Sequence, residues 1–266
     1  EKWWSRGHAT LFEGPGGQWW MIYHGYENGY WTLGRQALLE PVEWTADGWP
    51  RPLGGDLSKP LAKPIDLGPQ PHGQPLSDDF SHNRFGQQWA FYDPAPDEMN
   101  RVSYAGGDLI LAAKGTEPSN CSPVTCIVGD HSYRIEMDVT IDDATEAGLL
   151  LFYNRRLYAG LGLGPGGLMM HRYGLSRRRG AIPGQREPGA PATPVRHLRF
   201  RLTNRQNILT IHTSQDGGMS WHKFDVQMEV SGYHHNVAYD FLSLRPGFYA
   251  AGKGCARFAH FTYEAF

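Results

Sequence analysis

Short runs that alternate apolar and polar residues, cut apart by 33 glycines and 19 prolines in 266 residues, constrain this chain more than any other feature. Tyr133, Ile135, Met137, Val139 and Ile141 alternate with Arg134, Glu136, Asp138 and Thr140. Leu198, Phe200 and Leu202 alternate with Arg199, Arg201 and Thr203 in the same way. A period of two sends successive side chains to opposite faces of a half-buried strand. Leu109–Leu111, Gly148–Tyr153, Tyr158–Leu163, Leu168–Tyr173 and Ile208–Thr213 read as further short strands. No amphipathic helix longer than two turns is legible. The expected class is all-β, with a two-sheet sandwich of jelly-roll type over residues 76–266.

The first fifty residues have a different texture. Gly14-Pro15-Gly16-Gly17 forms a turn between Ala9–Phe12 and Trp19–His24, and a second turn near Glu27-Asn28-Gly29 leads into Trp31–Leu39. Three such strands make a meander too small to fold alone. Their length is about that of one propeller blade, whose faces need neighbouring blades. Residues 51–75 hold Pro52, Pro60, Pro64, Pro69, Pro71 and Pro75 among glycines, the composition of an extended linker.

Hydrophobic residues make up 40% of the chain, enough for a real core, and the formal net charge is -2. That balance lacks the basic face a nucleic-acid partner requires. The Arg177-Arg178-Arg179 run is expected in a solvated loop. No apolar run reaches the roughly 20 residues of a membrane helix. The chain opens on Glu1 and runs straight into strand-like sequence, so residues before it are expected and the lack of a visible signal peptide decides nothing. Cys121 and Cys126 are spaced to close a small-loop disulfide, as in an oxidising compartment; two buried free thiols are the equally weighted alternative.

Two motifs carry more. Ser214-Gln215-Asp216-Gly217-Gly218-Met219-Ser220-Trp221 fits Ser-x-Asp-x-Gly-x-Ser/Thr-Trp and resembles an Asp-box hairpin, a structural element in which the carboxylate holds turn amides. In the first fifty residues, Gly7-His8-Ala9, Gly17–His24, Leu33-Gly34-Arg35-Gln36, Pro41-Val42-Glu43-Trp44 and Asp47-Gly48-Trp49-Pro50 follow in order. Each piece is weak alone, but the succession resembles the C-terminal end of a glycoside hydrolase family 43 propeller. Asp78-Asp79-Phe80 with Gln88-Trp89, Phe152-Tyr153-Asn154, Ser231–Asn236 and Phe241–Pro246 resemble the concanavalin-A-like sandwich that follows many such propellers. The family motif usually reads Leu-Gly-Arg-Glu, so Gln36 is a departure.

The resemblance implies the last blade of a five-bladed β-propeller (1–50), a linker (51–75) and a sandwich (76–266). It implies an inverting hydrolase of β-xylosidase or α-L-arabinofuranosidase type acting on xylan or arabinoxylan oligosaccharides, secreted or periplasmic. Its catalytic carboxylates come from earlier blades, so no catalytic residue is assigned in this chain, which is expected to be inactive alone. Glu13, Glu27, Glu40, Glu43 and Asp47 match none of the carboxylate motifs. His8 resembles the histidine near the propeller axis beneath the sugar, and Arg35 the arginine that reaches the nonreducing sugar and the carboxylates. Tyr153, Asn154, His234 and His235 are secondary candidates, on a sandwich loop over the active-site mouth. No cofactor is required by this reading. A structural calcium near Asp78 or Asp79 is a candidate, and zinc on His234-His235 is rejected for want of a third ligand at a recognisable spacing. The partner is the preceding propeller segment, before Glu1 or on a separate chain. The alternatives are a non-catalytic carbohydrate-binding module and a purely structural sandwich.

Overall fold

The structure is a computed structural model describing residues 1–70, 73–180, 182 and 194–266. It contains three sheets. The first is an antiparallel meander of β1 (Trp3–Glu13), β2 (Trp19–Glu27), β3 (Arg35–Trp44) and β4 (Pro50–Pro52), paired in that order. Here one strand expectation is corrected. Trp31–Leu33 is a 3-10 turn, and β3 starts only at Arg35, because Gly34 leaves the extended region at φ +70. The short β4 lies inside the Pro-rich stretch; prolines that cannot donate to a ladder are tolerated on such an edge.

Beneath the meander, Tyr23 donates its hydroxyl to the buried Glu40 carboxylate, and the Gly54 amide donates to the other oxygen of that carboxylate at 3.0 Å. Burial first, then Glu40, raises the Tyr23 pKa well above the usual phenol range. A Cβ at Gly54 would sit 2.2 Å from Glu40 Oε2, so only glycine lets the chain turn out of β4 there. The linker then runs back along the blade, where Trp3 Nε1 donates to the Leu57 carbonyl at 3.0 Å.

The sandwich begins with an antiparallel bridge from Asp78 to Phe261. Its strands are β5 (Ala90–Phe91), β6 (Val102–Ala105), β7 (Asp108–Ala112), β8 (Val124–Thr125), β9 (Ser132–Ile141), β10 (Thr145–Asn154), β11 (Leu157–Gly164) and β12 (Gly167–Arg172). They continue with β13 (Leu175–Arg178), β14 (His197–Arg205), β15 (Ile208–Ser214), β16 (His222–Lys223), β17 (Met228–Glu229), β18 (Arg245–Gly252) and β19 (Cys255–Ala265). One sheet has the order β13-β12-β11-β10-β18-β8-β5; the other is β16-β15-β14-β9-β19-β7-β6, with β17 also on β15. All pairings between these strands are antiparallel, and the one α-helix among the described residues is the single turn α1 (His235–Ala238). No described helix is long and apolar enough to cross a membrane.

Period two places the inward residues as expected: Tyr133, Ile135, Met137 and Val139 of β9 and Leu198, Phe200 and Leu202 of β14 are buried between the sheets. Phe248 meets Phe80, Trp89 and Phe258 at ring centroids 4.5–6.2 Å apart in the same core. The outer face of the β13-to-β5 sheet is covered as well. Leu150, Phe152, Tyr158, Tyr249 and Ala251 pack there with Cys121 in a second, smaller core.

That double-sided burial explains the cysteines. Cys121 belongs to the outer core and Cys126 to the inner one, on opposite sides of the sheet, and both are free thiols. Burial pushes each thiol up to about 12. The disulfide expectation is therefore replaced by its alternative. The arginine run is also corrected: Arg177 and Arg178 end the edge strand β13, where charged side chains discourage pairing with another sheet.

The Asp216 hairpin has the expected geometry. Ser220 donates from its amide (2.9 Å) and hydroxyl (2.5 Å) to the Asp216 carboxylate, and Ser214 donates its hydroxyl at 2.7 Å. Gly217 and Gly218 take φ of +71 and +97, and Arg201 stacks on Trp221 at 3.9 Å. The bonds from Ser220, then that from Ser214, hold the Asp216 carboxyl far below the usual carboxylate range. A depressed pKa contributes stability above the unfolded value, about pH 4, that is lost in stronger acid. Asp216→Ala should thus lower the melting temperature at pH 6, with the gap to wild type closing below about pH 4; equal gaps at pH 6 and pH 3 would contradict this.

Candidate functional site

The blade and the sandwich meet along the turn that precedes β3. Thr32 donates its hydroxyl to Asn207 Oδ1 at 2.8 Å and accepts the Leu244 amide on its carbonyl at 2.7 Å. Both Thr32 and Asn207 are buried. Tyr30 stacks face to face on His131 with centroids 3.4 Å apart, and the same imidazole is 2.8 Å from the Glu27 carboxylate. A Cβ at Gly34 would stand 2.9 Å from the Leu242 carbonyl, so glycine permits the closest approach of the two units. These contacts fix the loop 234–242 against the blade.

A cavity of about 490 Å³ lies at this junction, lined by Trp4, Arg6, His8, His24, Tyr26 and Arg35 among blade residues and by His235, Asn236 and Phe241 from the sandwich. His8 reaches it because β1 slips register against β2 on both sides of Gly7, and His8 itself takes φ +53. Such bulges re-aim side chains and recur beside binding sites. His8 and His24 lie with ring centroids 5.2 Å apart. Burial first, then the Arg35 guanidinium and the neighbouring His8 ring, lowers the His24 pKa below the usual imidazole value. Arg35 stacks its guanidinium on Phe241 at 4.0 Å. His235 is held between Phe241 (4.4 Å) and Tyr26 (6.1 Å). Among the described residues no carboxylate lines the cavity.

Of the six sequence candidates, the structure brings His8, Arg35 and His235 to this cavity, and the other three stand behind it. Tyr153 donates its hydroxyl to the Asp240 carbonyl and Asn154 its amide to the Asp240 carboxylate, so both anchor the loop that carries Phe241. Burial pushes the Tyr153 phenol up to about 12. His234 caps α1, its Nδ1 accepting the Asn236 amide at 3.2 Å, and its ring packs 5.5 Å from Trp31. Gln36, the departure from the family motif, donates its side-chain amide to the Leu33 carbonyl at 2.8 Å and does not line this cavity. His24, Tyr26 and Phe241 were not singled out by sequence, although His24 and Phe241 lie inside the quoted motifs. Their neighbours across the junction are some 200 positions away in the chain.

Three of the blade's carboxylates are committed elsewhere: Glu40 to Tyr23 and Gly54, Glu27 to His131, and Glu43 to Arg51. Asp78 accepts the Phe80 amide (2.9 Å) and the Trp89 indole N–H (2.8 Å), and Asp79 accepts the Ser81 amide. Among the described residues no group of three His, Cys, Asp or Glu could hold a metal ion.

Comparison with known proteins agrees with this layout. Residues 1–50 match Glycosyl hydrolases family 43, and residues 77–264 match the Beta xylosidase C-terminal Concanavalin A-like domain. The chain is similar to the Non-reducing end alpha-L-arabinofuranosidase BoGH43B of Bacteroides ovatus, 38% identical over 120 residues, which is 41% of this chain and 21% of that protein. Its fold resembles the GH43 BlXynB protein from Bacillus licheniformis (TM-score 0.78, 22% identity, all of this chain and 54% of the other). It also resembles the xylan beta-1,4-xylosidase from Bacillus halodurans C-125 (TM-score 0.76, 20% identity, 99% of this chain and 54% of the other). The chain thus spans about half the length of these solved relatives. With the sandwich matched over most of the chain and the blade over the remainder, the chain belongs to glycosyl hydrolase family 43, as a C-terminal portion that carries the concanavalin A-like domain.

Proposed function

We infer that this chain forms one wall of the sugar site of an inverting glycoside hydrolase that removes xylose or arabinose from xylan-derived oligosaccharides. The observation that carries this is the shared cavity, in which His8 and Arg35 of the blade face His235 and Phe241 of the sandwich. A second observation supports a missing neighbour. Ile22 and Leu39 pair across β2 and β3, and both are exposed, as are Trp4 and Phe12. An apolar patch of this kind on a blade suits burial against the preceding blade.

In such an enzyme one carboxylate activates water and one carboxylic acid protonates the leaving oxygen, roughly 6.5–9.5 Å apart. Both would come from the preceding segment. The Arg35 fork supplies paired N–H donors to two sugar hydroxyls or to one of those carboxylates, whose ionised form its charge favours. The stack on Phe241 holds the guanidinium plane in place. Phe241 and His235 close one side of the cavity and limit what extends beyond the bound sugar.

The test mixes this chain with the preceding propeller segment and assays aryl β-xylosides and aryl α-L-arabinofuranosides. Activity is expected only with both parts present. Activity of the preceding segment alone, unchanged on adding this chain, would refute the reading. A carbohydrate-binding role for the sandwich by itself has less support, because Phe152, Tyr158 and Tyr249 on its outer sheet face are buried and offer no stacking platform.

A further inference from the structure

The loop that carries Phe241 is held from several sides. Arg156 donates to the Ala238 carbonyl at 3.0 Å, the Tyr239 amide donates to the His235 carbonyl at 2.7 Å, and the Leu244 amide reaches Thr32 of the blade at 2.7 Å. Between these points Asp240 is clamped, its carbonyl by Tyr153 and its carboxylate by Asn154. The backbone from 238 to 244 is thereby fixed, and a side chain standing on it is presented from a rigid base.

Tyr239 stands in the middle of this segment. It takes φ +63 at the C-cap of α1, a position where glycine carries no steric penalty and a large side chain does. Its ring is 79% exposed and makes no hydrogen bond, ring stack or cation contact among the described residues. A non-glycine residue in the left-handed region persists where its surroundings over-determine it, and such residues gather at ligand sites. The ring adds no packing to the fold, so its use lies in what touches it from outside.

Its place is the mouth of the sugar cavity. His235 and Asn236 on one side of Tyr239, and Phe241 on the other, line that cavity. Two residues span at most about 7 Å, so Tyr239 is within that distance of Phe241 along the backbone. A sugar chain that leaves the cavity past Phe241 therefore meets the Tyr239 ring next.

We propose that Tyr239 is a stacking platform for the part of a xylo-oligosaccharide that extends out of this cavity, and that it sets a preference for longer chains. The proposal rests on the sugar-site reading given above. A pyranose ring presents C–H groups on its faces, and an aromatic ring removes that apolar area from water. Tyrosine does so with two side-chain torsions to restrict, and here the backbone beneath it is already held.

Steady-state kinetics of the chain combined with its preceding propeller segment, on xylobiose and xylotetraose, tests it. The ratio of kcat/KM for xylotetraose to that for xylobiose should be about fivefold, the order expected of one aromatic stack. Tyr239→Ala should bring it to about one, through a higher KM for xylotetraose, and Tyr239→Phe should keep it. Tyr239→Gly should lose the ratio without lowering the melting temperature, since glycine suits the backbone there. If the combined parts cleave aryl arabinofuranosides rather than aryl xylosides, the same ratio is read on arabinosylated xylotetraose and xylobiose. A wild-type ratio near one, a ratio unchanged in Tyr239→Ala, or weaker association of Tyr239→Ala with the propeller segment would each overturn the proposal. Failure of the combined parts to cleave any aryl pentoside would instead refute the sugar-site reading beneath it.

Discussion

Arg35→Ala in the reconstituted enzyme is expected to lower kcat/KM by about 100-fold, equivalent to about 2.7 kcal/mol. The residue is exposed in this chain and sits on Phe241 rather than in an ion pair, so its removal leaves no buried charge behind. The melting temperature should accordingly stay close to wild type. Arg35→Lys should recover little, because an ammonium is a point charge and cannot present two parallel donors to a diol or carboxylate. Steady-state kinetics on an aryl pentoside beside thermal melts separates the outcomes. A loss of less than threefold, or a loss matched by unfolding, would remove Arg35 from the sugar site.

The second large effect concerns stability. Glu98 is buried to 3% side-chain exposure and pairs with Arg101 and, at 2.6 Å, with Lys114; it also accepts the Ala95 amide at 3.0 Å. Burial works against its ionisation, but Lys114, the Ala95 amide and Arg101 together hold the carboxyl below its ordinary range. Arg101 in turn donates to the carbonyls of Ala112 and Cys121, so one carboxylate ties the segment after β5 to the loop that covers the outer core. Removing one partner of a buried pair strands the other charge, at about 3–5 kcal/mol. Glu98→Ala should therefore lower the melting temperature by on the order of 10 °C at pH 7. The sign with pH follows from the depressed pKa: the contribution is complete above about pH 4.3 and is lost as pH falls through the folded value. A variant that melts within 2 °C of wild type, on this same scale, would contradict the assignment.

How much of this was legible in the sequence depends on the kind of contact. Strands β9 and β14 were readable because each is half buried, so Ile135 and Arg134, or Phe200 and Arg201, declare their faces residue by residue. The blade was less so. Trp31, Thr32 and Leu33 look like strand residues, yet Thr32 is spent on Asn207 and Leu244 of the sandwich, and that tertiary demand makes the segment a turn. Period-two logic also missed the covered outer face of the β13-to-β5 sheet, and with it the reason Cys121 and Cys126 cannot meet.

The site was half readable. His8 and Arg35 could be named from the order of short motifs. Their proximity to His235 and Phe241 could not, since it depends on how Asn207, Leu242 and Leu244 seat the loop on Thr32 and Gly34. His234 and His235 are adjacent in sequence yet part company, one capping α1 and the other entering the cavity.

The central claim is that the blade and the sandwich of this chain present their side chains to the same sugar. Imidazole NMR of the chain combined with its preceding propeller segment, titrated with D-xylose and with L-arabinose, tests that most directly. The account predicts that His8 and His235 resonances move together with one dissociation constant, while His82, exposed on the far loop, stays still. Movement of His8 with His235 unaffected would show that the sandwich has no part in the site, and movement of neither would show that the cavity holds no pentose.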